Sequence, residues 1–157
     1  MRTIKILIGN IGSGKTTYIK SIKGNKTVLS KDQIRSFIAS GIGESYIYDD
    51  SIEPIINDIS VSTCEACLRL CINTIIIDET NMRVMDRKPF IQLAKKYDYK
   101  VEAIVFKDCG EYEHVRRRLS NNHGNTSEEK WRTVYRRNLD VFNYPSYSEG
   151  FDLIIDL

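Results

Sequence analysis

Eight residues, Gly9-Asn10-Ile11-Gly12-Ser13-Gly14-Lys15-Thr16, follow the spacing G-x-x-x-x-G-K-[ST]. That spacing suits a loop that holds phosphate. Its glycines let backbone N–H groups turn inward around phosphate oxygens. A helix opening near Gly14 adds the positive end of its dipole. Lys15 carries a cation long enough to reach β- and γ-phosphates, and the Thr16 hydroxyl can ligate Mg2+. Gly9 to Thr17, through Asn10, Ile11, Gly12, Ser13, Gly14, Lys15 and Thr16, is therefore the predicted nucleotide site.

Asp78 closes the apolar run Ile75-Ile76-Ile77. An acid there lies at the carboxyl edge of a sheet, where open α/β folds bind ligands. It suits the second metal-binding position, holding Mg2+ through water. Glu79, Thr80 and Asn81 follow at the same edge and can face a second substrate. Ser30-Lys31-Asp32-Gln33-Ile34-Arg35 supplies an acceptor site. Asp32 falls in a first helical turn, where the helix terminus favours a carboxylate. It can orient an attacking hydroxyl and take its proton late, as a loose phosphoryl-transfer transition state allows. Arg35, three residues on, shares that face and can hold an anion on the acceptor. A plain intrahelical Asp–Arg pair on a solvated face is the competing explanation. Arg116-Arg117-Arg118 precedes the polar loop Ser120–Thr126. A cation closing over the transferring phosphoryl group stabilises its developing charge. Three consecutive arginines point in three directions, so at most one or two face the nucleotide.

Alternating strands and helices must position these groups. Strands are predicted at Ile4–Ile8, Thr27–Leu29, Asn73–Asp78, Val101–Phe106 and Phe151–Asp156. Helices are predicted at Thr16–Lys23, from a Ser30/Gln33 capping box to about Gly41, at Ser51–Leu70, at Arg87–Tyr97 with Pro89 in its first turn, at Glu111–Leu119 and at Ser127–Phe142. Five strands alternating with helices predict an α/β sandwich with a mostly parallel sheet and right-handed crossovers. Without internal repeats or a linker, one domain over 1–157 is expected.

The chain has 157 residues, 41% hydrophobic and 28% charged, enough to bury a core without disulfides. No apolar run approaches a membrane span. The N-terminal run leads into glycines instead of a cleavage site, so neither a membrane partner nor a signal peptide is expected. Cys64, Cys67 and Cys71 fall at i, i+3, i+7 and suggest a packed helix face in a reducing cytoplasm. Cys109 stands apart, and His114 and His123 lack a Cys-x-x-Cys partner, which argues against zinc. Net charge is +2. Residues 34–65 nevertheless hold six acids against Arg35, and residues 114–137 hold seven bases against two acids. The basic stretch is either a solvated face or a surface for a polyanion.

Taken together, four blocks resemble the kinase domain of the phage-type polynucleotide 5′-hydroxyl kinases. They are GNIGSGKTT, SKDQIR, IIIDETNMR followed by a helix and KVEAIVF, and the basic helix pair around residues 115–137. The closing YPSYSEGFDLIIDL is similar to the end of related kinase domains. The resemblance implies a three-layer P-loop kinase fold with a five-stranded sheet and an arginine-bearing helical lid. It implies transfer of the γ-phosphate of ATP to the 5′-OH of DNA or RNA, with Mg2+, in a cytoplasm that is a host's if the chain is phage-encoded. Asp32 matches the general base, Lys15 and Thr16 the phosphate and metal residues, Arg35 the acceptor-phosphate arginine, and Thr80 and Asn81 the acceptor site. The family's lid arginine falls about where this chain has Asn121, which leaves Arg117 or Arg118 for that role. No D-x-D motif occurs, so 3′-phosphate removal by that chemistry is not expected. A small-molecule kinase and a regulatory NTPase are the alternatives. Arg35 favours an acceptor that carries phosphate.

Overall fold

The computed structural model describes residues 2–44, 49–121 and 126–157. Strand β1 (Thr3–Ile8) runs into the glycine loop and helix α1 (Lys15–Ser21). Then come β2 (Thr27–Leu29), α2 (Lys31–Ser40), α3 (Glu53–Arg69), β3 (Thr74–Ile77), α4 (Val84–Lys96), β4 (Lys100–Val105), α5 (Glu111–Leu119), α6 (Glu128–Asp140) and β5 (Leu153–Asp156).

The strands form one sheet in the order β2-β3-β1-β4-β5, and every pairing is parallel. The expected five-stranded α/β sandwich is present, parallel throughout. Near-continuous Ile, Leu and Val runs suit strands that are covered on both faces. Alternation along each strand then divides the side chains between two layers. Ile4, Ile6, Ile8, Ile75, Ile77, Val101 and Ala103 pack on α3 and α4 through Cys64, Cys67, Leu68, Phe90 and Ile91. Leu7, Ile76 and Ile104 face the other way, onto Tyr18, Ile19 and Ile22 of α1 and its exit. A third, smaller core joins α5 to α6 through Val115, Trp131 and Tyr135 and takes in Ile11 of the glycine loop.

Three local expectations change. Helix α4 opens at Val84, because the Arg83 N–H donates to Asp86 Oδ2 at 3.0 Å and caps the first turn early. Pro89 therefore lies in the helix interior, where its missing N–H removes one backbone bond. Ser30 is the N-cap of α2 but makes no side-chain capping bond, so no Ser30/Gln33 capping box forms. Helix α3 ends at Arg69, and Cys71 lies beyond it, exposed, with φ 57. Only Cys64 and Cys67 of the proposed cysteine face are buried. Residues 122–125 of the polar loop, His123 among them, lie outside the described residues.

Candidate active site

Two prolongations of the sheet place the loop. The N–H of Gly9 donates to Thr80 O at 3.0 Å, and that of Asp78 donates to Leu29 O at 2.8 Å. The glycine loop, Asp78 and the start of α2 thus meet at one carboxyl edge. Gly9 must lack a side chain there. An added Cβ would sit 2.7 Å from Ser13 Oγ and 2.8 Å from Phe106 Cβ. Gly14 caps α1 in the left-handed region, φ 100, which glycine adopts without steric cost.

Lys15 folds back into the loop. Its Nζ donates to Gly9 O at 2.8 Å, Asn10 O at 2.7 Å and Ser13 Oγ at 3.2 Å. Burial pushes this ammonium down to about 8; Asp78 opposes the shift, Arg118 adds to it and Asp32 opposes it. Burial pushes the Asp78 carboxyl up, against the pull of Lys15. Four charged groups, from the start of α1, the exit of β3, α2 and α5, therefore share one electrostatic site. Thr16 and Thr17 are exposed in the first turn of α1.

Asp32 and Arg35 meet as the i, i+3 spacing requires, Nη1 to Oδ1 at 2.8 Å. The Asp32 side chain stays partly exposed, whereas Arg35 is buried. Its Nε and Nη2 clasp Glu53 of α3 in a two-pronged pair at 2.8 and 2.7 Å. No motif singled out Glu53. Of the three consecutive arginines, Arg118 is the one that turns toward Asp32. Its guanidinium stacks 4.5 Å over the Trp131 ring and reaches 3.8 Å from Asp32 Oδ2. Its buried Nε has no hydrogen-bond partner among the described residues. Arg117 turns outward instead, to Glu113 at 2.5 Å, as does Arg116.

Asn81 is 2% exposed with φ 48. Its Nδ2 donates to Leu7 O at 2.8 Å, which ties the β3 exit to β1. Its Nδ2 is thus engaged beneath the edge, while its buried Oδ1 has no hydrogen-bond partner among the described residues; Thr80 stays half-buried beside Gly9. Glu79 is held by Lys31 at 2.9 Å and Ser60 Oγ at 3.0 Å. Burial pushes its carboxyl up, and Lys31 opposes this.

The side chains of Asn10 and Ile11 are taken up by α5 and α6. Asn10 Nδ2 donates to Tyr135 O at 2.9 Å, and its Oδ1 accepts from Asn138 Nδ2 at 3.0 Å.

The model of a family described as an AAA domain (AAA_33) matches residues 4–145. The chain belongs to this family. No curated protein matches it. Among solved structures, this family member is similar over 99% of its length to a candidate kinase from Chloroflexus aurantiacus, with TM-score 0.66, 16% identity and 84% of that chain covered. It is similar over 91% of its length to a chain of a Pnkp1/Rnl/Hen1 RNA repair complex, with TM-score 0.64 and 20% identity, and spans 47% of that chain. A sugar kinase from Janibacter matches with TM-score 0.61 at 14% identity, over 99% of this chain and 86% of the other. The shared architecture is the P-loop kinase fold.

Asp78 fits a magnesium site. It is a partly buried carboxylate that no hydrogen bond or ion pair engages among the described residues. No cluster of three ligating side chains occurs among them. That suits Mg2+, which is held by one or two protein oxygens plus substrate phosphates.

Proposed function

We propose that this chain transfers the γ-phosphate of ATP to the 5′-hydroxyl end of a polynucleotide. One observation carries the reading. Asp32 on α2 lies 3.8 Å from Arg118 on α5, and both sit in the electrostatic field of Lys15. A carboxylate for the hydroxyl and two cations for the phosphoryl group are thereby gathered at one phosphate loop. Asp32 orients the acceptor hydroxyl toward phosphorus. As the new O–P bond forms, the bond to the β,γ-bridging oxygen breaks and the acceptor proton passes to Asp32. Lys15 and Arg118 offset the charge on the transferring group and on the leaving ADP. Mg2+, held by Thr16 and by Asp78 through water, would neutralise phosphate charge when bound. Arg35 offers its cation to a phosphate on the 3′ side of the acceptor nucleoside, and Thr80, beside Gly9, is assigned to the acceptor as well. Likeness in fold to a chain of an RNA repair complex supports the polynucleotide acceptor.

The Glu53 clasp on Arg35 favours a second reading. An arginine whose fork already holds a carboxylate is less available to an acceptor phosphate. A nucleoside or sugar acceptor needs no such contact. Labelled ATP offered with 5′-OH oligonucleotides, nucleosides, nucleotides and sugars decides between them. Preferred labelling of oligonucleotides is expected. Equal labelling of a nucleoside or sugar replaces the polynucleotide reading with a small-molecule kinase.

A further inference from the structure

The middle of the glycine loop is built into the α5–α6 pair. His114, fully buried on α5, lies with Nδ1 2.7 Å from Ile11 O. A carbonyl only accepts, so Nδ1–H is the donor. The other ring nitrogen lies 2.8 Å from Asp108 Oδ1 and 3.2 Å from the Cys109 amide. The ring packs beside Tyr135, with centroids 5.2 Å apart. At Gly12, φ is +63, and an added Cβ would sit 2.4 Å from the His114 carbonyl oxygen. Backbone meets backbone there. On α6, Asn138 and the Tyr135 carbonyl hold Asn10. Arg118 lies one turn beyond His114 on the same face of α5.

We propose that His114 is a positioning residue. Its bond to the Ile11 carbonyl joins the phosphate loop and the Arg118-bearing helix into one unit, with Asn138 supporting the same loop from α6. The Ile11 N–H is itself held by Asn10 Oδ1 at 2.8 Å, so turning the Ile11 carbonyl outward acts on the Gly12 N–H, which shares its peptide plane and points the opposite way, toward phosphate. Fixing α5 at the loop sets where Arg118 arrives. The Arg118 part rests on the proposed phosphotransfer; the loop part does not.

The test compares His114→Asn, which keeps a donor near the Nδ1 position, with His114→Gln, which places one near Nε2 instead. Both lose the imidazole packing, and Asn, smaller by a methylene, leaves the larger void, so packing alone predicts the greater loss for His114→Asn. ADP affinity by calorimetry is expected within about threefold of wild type for His114→Asn. It should be about tenfold weaker for His114→Gln, the size of one buried hydrogen bond. Equal affinities overturn the loop part. If neither variant folds, the half-buried Asn138→Ala decides it: unchanged ADP affinity overturns the proposal. For the Arg118 part, turnover of ATP with a 5′-OH oligonucleotide is measured in a double-mutant cycle. His114→Gln is expected to lower turnover in the wild-type background and to add little in Arg118→Ala. Full additivity overturns the coupling. An Arg118→Ala variant with normal turnover overturns the catalytic role of Arg118 and the coupling with it, and the ADP comparison still decides the loop part.

Discussion

In the proposed transfer Lys15 is the cation seated in the phosphate loop. Its three hydrogen bonds into the loop hold an ammonium where β- and γ-phosphates would lie. Lys15→Ala should lower transfer by on the order of 100-fold or more, since a cation aimed at developing charge contributes several kcal/mol. Near-normal turnover of a folded Lys15→Ala protein would sink the site. Its depressed titration gives a second expectation. Bound phosphate favours the ammonium form, so binding raises a group that stands at about 8 in the free protein toward its ordinary 10.5. The complex holds more protons than the free protein across that window, and affinity falls as pH rises through it. Calorimetry of ADP binding at about pH 9 in two buffers of different ionisation enthalpy should show proton uptake. Lys15→Arg should remove the uptake, because a guanidinium stays charged. Arg35 is tested by contrast within one mutant. Arg35→Ala should raise KM for an oligonucleotide or a 3′-phosphorylated nucleoside roughly 10- to 100-fold, the size of a charge-assisted bond. Use of a plain nucleoside should hardly change. Equal weakening of both acceptors would make the Arg35 contacts to Asp32 and Glu53 structural.

Buried ion pairs join the elements around the site. Arg87 of α4 is fully buried and grips Glu149 of the Tyr147–Glu149 turn with two bonds of 2.8 Å. It also donates to Asn81 O at 3.1 Å and Asn143 O at 2.9 Å. One guanidinium thus ties α4, the β3 exit and the segment after α6. Removing one partner of such a pair leaves an uncompensated buried charge. Arg87→Met should cost about 3–5 kcal/mol of unfolding free energy in a urea titration. A loss below about 1 kcal/mol would place the pair with solvated surface bridges. On the other side of the site, Lys31–Glu79 and Arg35–Glu53 fix α2 against β3 and α3, so that Asp32 is presented from a braced helix.

Charge is distributed over the whole molecule differently from its order along the chain. The basic stretch 114–137 is largely neutralised by acids on the same two helices. Glu113 takes Arg116 and Arg117, while Glu111 and Glu128 take Arg132 and Arg136. Among the described residues Lys130 and Arg137 remain outside ion pairs, and Arg118 faces the site. A single strand that contacts only these three should show a salt slope of about −2 in log K against log salt. Seven available cations would give about −5. Fluorescence anisotropy of a 5′-OH oligonucleotide across a salt series distinguishes the two. A slope near −5 would mean that the strand displaces the glutamates.

The phosphate loop and its strand–loop–helix setting are legible in the sequence, because the chemistry is local. Backbone N–H groups, a lysine and a threonine act within eight consecutive residues. Period-two burial and apolar runs likewise expose five strands and their helices. Asp32 and Arg35 are legible as a pair, since three residues on a helix bring them together. What surrounds them is not. Glu53 on Arg35, Glu149 on Arg87, and His114 and Asn138 on the glycine loop span 18 to 128 residues. Among contacts this distant, no periodicity distinguishes a partner from any other polar residue. The choice of Arg118 over Arg117 has the same origin. Both stand in one run of arginines, and only the packing of Trp131 and Ile11 against α5 turns one toward Asp32 and leaves the other on Glu113.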